Sequence, residues 1–176
     1  MAPRKASKKS TSKKRKSTKT KSRKTRKVKA IPAGYHSVTP YLIIQGAAAA
    51  LDFYKRAFGA KEKLRMPDGE RIGHAEILIG GSHVMLADEY PERDIHAPQP
   101  DARTPVGILL YVQDVDTVFK RAVAAGAKVE RPLADQFYGD RTGGILDPFG
   151  HRWYLATHIE DVSPKEMQRR MQAAKQ

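Results

Sequence analysis

The chain of 176 residues contains no cysteine. That absence excludes disulfides, thiolate nucleophiles, zinc–thiolate sites and iron–sulfur ligation together, so any metal would have to be held by His, Asp, Glu or water. Long hydrophobic runs are missing as well. None approaches the roughly 18–20 apolar residues of a membrane span, and the charged N-terminus has no apolar stretch behind it of the kind a secretory signal needs. A cytoplasmic protein with no membrane span is expected, with nuclear location an option only in a eukaryote, where "KKRK" at 13–16 would serve as a localisation signal. Outside the first thirty residues the serines are Ser37, Ser82 and Ser163, and none stands in a nucleophile elbow. A glycine-rich phosphate loop is also lacking, because "GGS" and "TGG" read as hairpin turns and open no helix.

Acidic residues are absent from residues 1–30, which carry 15 Lys and Arg. Residues 31–176 then hold 18 basic against all 19 acidic side chains, so the net charge of +14 belongs to the N-terminal segment. With Val28 as its single branched aliphatic residue and no aromatic, that segment cannot bury enough apolar area to offset its ordering entropy, and its like charges repel. A disordered Lys/Arg-rich tail over 1–30 is expected. Such an arm would contact DNA, RNA or another polyanion by counterion release with little sequence preference, or serve only as a solubilising extension.

What remains is an internal repeat. "FYKRAFGAK" (53–61) returns as "FKRAVAAGAK" (119–128), and "ILIGGSHVMLADE" (77–89) returns as "ILDPFGHRWYLATH" (145–158), which places Ile145 and His151 each 68 residues after Ile77 and His83. Each copy opens on a β-branched apolar run, 38–44 or 106–112, followed by a helical stripe, Leu51, Tyr54 and Phe58 in the first and Val115, Val118, Phe119, Ala122 and Val123 in the second. Asp114 suits an N-cap, and Gly59 and Gly126 suit left-handed C-terminal positions. Three strand-like pieces follow each helix, near 61–66, 72–79 and 83–88, then 128–134, 142–146 and 151–157. The spacing predicts an α+β domain over 31–162 made of two tandem βαβββ modules, about 35–89 and 106–160, joined by a proline-rich linker over 90–105. "SPKE" at 163–166 reads as a capping box that starts a short helix in 163–176.

Two βαβββ units with "FYKRAFGA" in the first helix and "DPFG" before the last strand resemble the vicinal oxygen chelate superfamily. "TPYLII", "HAEILIG", "VMLADE", "FYGDRTGGILDPFGHRW" and "LATHIEDVS" make the chain most similar to the PhnB-like proteins of the glyoxalase/bleomycin-resistance/dioxygenase class, over about residues 34–165. The resemblance implies curved mixed sheets around a cavity and a homodimer. It also implies a divalent metal that chelates two vicinal substrate oxygens, held by three or four His or Glu ligands from inner strands. The corresponding positions here are Thr39, Leu86, Gly107 and Tyr154, or Tyr41, Asp88, Leu109 and Ala156 two residues further along each strand. Of these only Asp88 could ligate a metal.

The histidines and polar residues give the remaining candidates. His83 and His151, at one repeat position, read as turn-stabilising side chains or as a catalytic pair. His74 alternates with Glu76, facing cavity or solvent, and His158 lies on the face of Tyr154. Strand alternation puts Tyr154 and Trp153 on opposite faces, and the resemblance implies that the concave face lines the cavity, so Tyr154 is expected toward a ligand and Trp153 in the core. Tyr138 and Arg141 sit over the cavity mouth, where an arginine would pair with a carboxylate or phosphonate, unless Asp140 and Arg141 form a local salt bridge. The expected function is binding of a small polar or anionic organic molecule by Tyr41, Asp88, Leu109, Tyr138, Arg141 and Tyr154, with no cofactor. One alternative is a metal-dependent lyase, isomerase or dioxygenase that uses Asp88 with His74 or His158. A second is a nucleic-acid-associated protein that acts through its tail.

Overall fold

A computed structural model describes residues 28–99 and 104–173. The basic segment 1–27, on which the tail reading rests, lies outside the described residues. The first module runs β1 (Tyr41–Ile44), α1 (Ala47–Phe58), β2 (Lys61–Asp68), β3 (Arg71–Ile79) and β4 (Ser82–Asp88). The second repeats it as β5 (Gly107–Tyr111), α2 (Val115–Ala124), β6 (Lys128–Asp135), β7 (Asp140–Leu146) and β8 (Arg152–His158), and α3 (Pro164–Ala173) follows. Two four-stranded mixed sheets result, ordered β1-β4-β3-β2 and β5-β8-β7-β6. In each the first strand lies parallel to the last and the other pairings are antiparallel. The α+β class and the tandem βαβββ architecture read from the sequence are those of the structure.

Alternation along each strand decides which side of a sheet is covered. Ala75, Ile77 and Ile79 of β3, with Leu42, Ile44, Val84 and Leu86, are buried against α1. In the second sheet Ile145, Trp153 and Leu155 do the same beside Val115, Phe119 and Ala122 of α2. The helices pack on each other, and Arg121 Nε donates to the Ala57 carbonyl at 2.8 Å. One core therefore serves both modules. Its centre is aromatic, with the Trp153 ring 4.7 Å from Phe58 and 5.6 Å from Tyr54. Asp147, buried among these rings, accepts from Tyr54 Oη at 2.8 Å and Trp153 Nε1 at 3.0 Å, and so ties the first helix to the second sheet.

The helix ends follow local chemistry. Asp114 caps α2 by accepting from Thr117 N at 3.0 Å, and Gly59 takes φ +68° after α1. The second helix runs one residue further into Ala125 before Gly126 turns at φ +116°. In α3, Ser163 Oγ accepts from Glu166 N at 3.3 Å, while the Glu166 carboxylate pairs with Arg169 and Arg170 instead of completing the capping box. Between the modules, Tyr90 bridges Ile95 around a short 3₁₀ turn, and both Tyr90 and Ala97 are buried.

The repeat itself needs one correction. In the ladders His83 pairs with Leu78, but Leu146 pairs with Arg152. The partner of Arg152 in the first module is thus His83, and His151 falls back into the preceding turn, which is longer than the two-residue Gly80–Gly81 turn. His83 and His151 are not equivalent. His83 stacks on Tyr35 with ring centroids 4.2 Å apart and bonds the Gly34 carbonyl through Nδ1 at 2.9 Å, whereas His151 is buried next to Asp147.

Candidate ligand site on the second sheet

The uncovered face of the second sheet carries a row of residues in register. Leu109 pairs with Tyr154, Tyr154 with Gly144, and Gly144 with Arg131, which spans all four strands. Beside this row glycine is a spatial requirement at Gly107, where a Cβ would lie 2.5 Å from Tyr154 Cε2, whereas one at Gly144 would make ordinary contact, 3.5 Å from the same ring and 3.4 Å from Arg131 Cβ. The tyrosine ring can therefore lie along the sheet, and the Arg131 guanidinium reaches over it, 5.8 Å from the ring centroid.

Two adjoining pockets share Arg131 and Tyr154. One, of about 340 Å³, is completed by Glu130, Gly144 and Arg152. The other, of about 360 Å³, adds Leu109, Tyr111, Tyr138, Asp140 and Thr142. Arg152 is neutralised by Glu130, with Nη2 to Oε1 at 2.9 Å. Arg131 has no such carboxylate among the described residues. A polar chain closes the far side of the larger pocket. Tyr111 Oη donates to Asp140 Oδ2 at 2.7 Å, and His158 meets Asp140 Oδ1 at 2.7 Å through Nδ1 and Asp161 Oδ1 at 3.0 Å through Nε2. The Asp140 and Asp161 hydrogen bonds raise the His158 pKa above 6.5. The same Asp140 carboxylate raises that of Tyr111, and burial raises that of Tyr138.

Of the residues singled out by sequence, the pocket brings together Leu109, Tyr138 and Tyr154. Tyr41 lies on the uncovered face of the first sheet. There it meets the His74 ring edge to face at 5.6 Å, while His74 reaches Tyr41 Oη at 3.3 Å and Glu76 Oε1 at 3.2 Å. Tyr35 Oη also donates to Glu76.

Arg141 is corrected: Asp140 and Thr142 point to the pocket, so Arg141 between them points to the helix side. It takes Asp116 through Nε and Nη2 at 2.7 and 2.8 Å and Asp135 through Nη1 at 2.8 Å. The alternative Asp140–Arg141 pair does not form either, since Asp140 is committed to Tyr111 and His158.

Asp88 is corrected as well, both as a ligand residue and as a metal ligand. Its carboxylate accepts from Gly46 N at 2.9 Å, Ala47 N at 2.7 Å and Ile72 N at 2.7 Å. Gly46 precedes α1 and has no side chain to cap it, so Asp88, at the end of β4, supplies the missing acceptor.

A divalent metal, which the fold family implies, finds no fitting donor set. Among the described residues no group of three or more His, Asp or Glu side chains is placed to hold one. The oxygens of Asp88 are occupied by backbone, both nitrogens of His158 face carboxylates, and His74 belongs to the other sheet.

Arg131, Tyr111 and Asp140 were not among the candidates. Tyr111 shares the face of Leu109 and could have been found by alternation. Arg131 could not, because β6 changes register on both sides of it, between Val129 and Arg131 and again before Ala134.

Residues 35–155 match the sequence pattern of the glyoxalase/bleomycin resistance protein/dioxygenase superfamily. The chain belongs to that superfamily. Within it, a protein of Mycobacterium bovis is 44% identical over 140 residues, which are 77% of this chain and 91% of that protein. The solved structure of TioX from Micromonospora sp. ML1 is 31% identical and superposes with a TM-score of 0.57, covering 69% of this chain and 98% of TioX. The PhnB protein of Bacillus cereus, 20% identical with a TM-score of 0.56, covers 69% and 99% and shares the fold. Among the described residues of this superfamily member no helix is long and apolar enough to cross a membrane.

Proposed function

We propose that this superfamily member binds a small anionic organic molecule, a carboxylate or phosphonate, on the uncovered face of its second sheet and without a metal. The observation that carries the reading is Arg131: a cation with no carboxylate partner among the described residues, standing over Tyr154 and shared by two pockets. Its planar fork would take two anion oxygens, and the Tyr154 ring and Leu109 would cover the organic part. Glu130 and Asp140 at the rims disfavour a second anionic group on the ligand. The chain is proposed to act as a homodimer, since Tyr41 and Met66 on one face and Leu109 and Tyr111 on the other are half exposed or more. It is proposed to be cytoplasmic, with the charge of residues 1–30 as a contact for polyanions.

The test is a thermal-shift screen of small carboxylates and phosphonates on protein dialysed against chelator, with and without divalent metal. A ligand that binds the folded state raises the melting temperature by mass action. The reading expects shifts in metal-free protein. Shifts that require Ni, Zn, Mn or Fe, or stoichiometric metal retained through dialysis, would replace it with the metal-dependent alternative.

A further inference from the structure

Beside the anion site lies a cavity that the proposed function does not use. It occupies about 140 Å³ between the segment 36–40, the β3–β4 turn and the free edge of β5. Ile79, Val84, Leu110 and Trp153 make its lining mostly apolar, and His36, Thr39, Ser82 and His83 are the polar residues that line it. Protein interiors leave few voids larger than a water molecule. A dry apolar cavity of ~150 Å³ takes up a molecule the size of benzene. Leu109 belongs to this cavity and to the larger of the two pockets around Arg131 and Tyr154. Half exposed, its side chain is the wall that the two share among the described residues.

We infer that the ligand is amphipathic: an anionic head at Arg131 and an unbranched aliphatic tail that crosses Leu109 at the β5 edge and ends against Trp153. This rests on the anion-binding reading above and adds the chemical class of the tail. At ~30 Å³ per group, the share of liquid volume of one water, the cavity admits roughly four methylene or methyl groups. Each one that enters should tighten binding by about fourfold, the equivalent of ~0.8 kcal/mol per buried methylene. Short acids that stop on Leu109 gain nothing from it.

Trp153 makes the test specific, because it is the only tryptophan in the chain and a wall of the cavity. The full-length protein is titrated with acetate, butyrate, hexanoate and octanoate by calorimetry, and with ω-bromo-octanoate by tryptophan fluorescence. The expected result is a Kd that falls steadily once the tail passes Leu109, with quenching of Trp153 by the terminal bromine. Filling the cavity through Ser82→Phe, at the exposed first residue of β4, or independently through Thr39→Phe, should abolish the chain-length gain and the quenching while acetate still binds. Arg131→Met should weaken every member of the series. An affinity that is independent of chain length, or ω-bromo-octanoate binding without quenching, overturns the tail assignment and leaves the anion site standing. If no carboxylate or phosphonate binds the wild-type protein, the anion-binding reading fails and the tail assignment fails with it.

Discussion

Arg131 and Tyr154 face each other across Gly144, one strand removed from each, with the guanidinium carbon 5.8 Å from the ring centroid. Gly144 lies between them in the register, and a Cβ there would come no closer than 3.4 Å to Arg131 and 3.5 Å to the ring, which is ordinary van der Waals contact. At an exposed site a cation–π contact contributes about 0.5–1 kcal/mol, too little to satisfy a guanidinium with five donors. Arg131 therefore retains most of its capacity for an incoming anion.

Removal of that cation should cost affinity and little else. Arg131→Met is expected to raise the Kd for a bound carboxylate about tenfold, as for loss of a hydrogen bond to a charged group of ~1.5 kcal/mol. The melting temperature should stay near that of the wild type. Calorimetry and thermal unfolding on the same preparation check the two halves.

Gly107 should matter through Tyr154. An added methyl group would stand 2.5 Å from the ring, so Gly107→Ala must displace it. Because position 107 is exposed on an edge strand, a stability change of no more than about 1 kcal/mol is expected. Ligand affinity should fall by about tenfold, and the near-ultraviolet tyrosine signal should change with it. Unchanged affinity in a folded variant would mean that the ring orientation is irrelevant to binding.

Asp88 should behave as a structural residue. Asp88→Ala strips acceptors from the start of α1 and from Ile72 N, which is buried. Loss of a helix cap costs about 0.5–2 kcal/mol and a stranded buried donor about 1–3 kcal/mol, so a total near 3 kcal/mol is expected in urea unfolding. A metal ligand would instead leave apoprotein stability largely unaffected.

Two histidines should respond to pH with opposite sign. Burial lowers the His151 pKa below 6.5, only partly offset by Asp147. The unfolded chain binds its proton first, so stability falls as the pH drops below 6.5 toward the folded-state value. His158 is raised by Asp140 and then Asp161, so its contribution is complete below 6.5 and fades as the pH rises through the higher folded-state value. Urea midpoints against pH for His151→Leu and His158→Gln separate the two. The first variant should lose the acid-side decline and the second the alkaline-side decline.

These outcomes also mark where sequence was sufficient. Period-two alternation put Trp153 in the core and Tyr154 on the open face, and helix spacing put Tyr54 and Phe58 against the aromatic centre. The same rule failed for Arg131, because each bulge in β6 resets which face the next residue takes. It also favoured Arg141, whose partner Asp116 lies 25 residues away on α2 and is invisible to local pattern. Asp88 resembled a ligand for a similar reason, since the cap it completes belongs to a helix 41 residues earlier. His83 and His151 looked equivalent until the ladders showed that the two turns differ in length.

The central claim, an anion site on the second sheet that needs no metal, is tested most directly by amide chemical-shift mapping of chelator-treated protein titrated with hexanoate. Saturable shifts should centre on Leu109, Tyr111, Arg131, Gly144 and Tyr154, and Arg131→Met should move their midpoint to about tenfold higher hexanoate. The account is contradicted if shifts appear only after a divalent metal is added, or if they centre on Tyr41 and His74 of the first sheet.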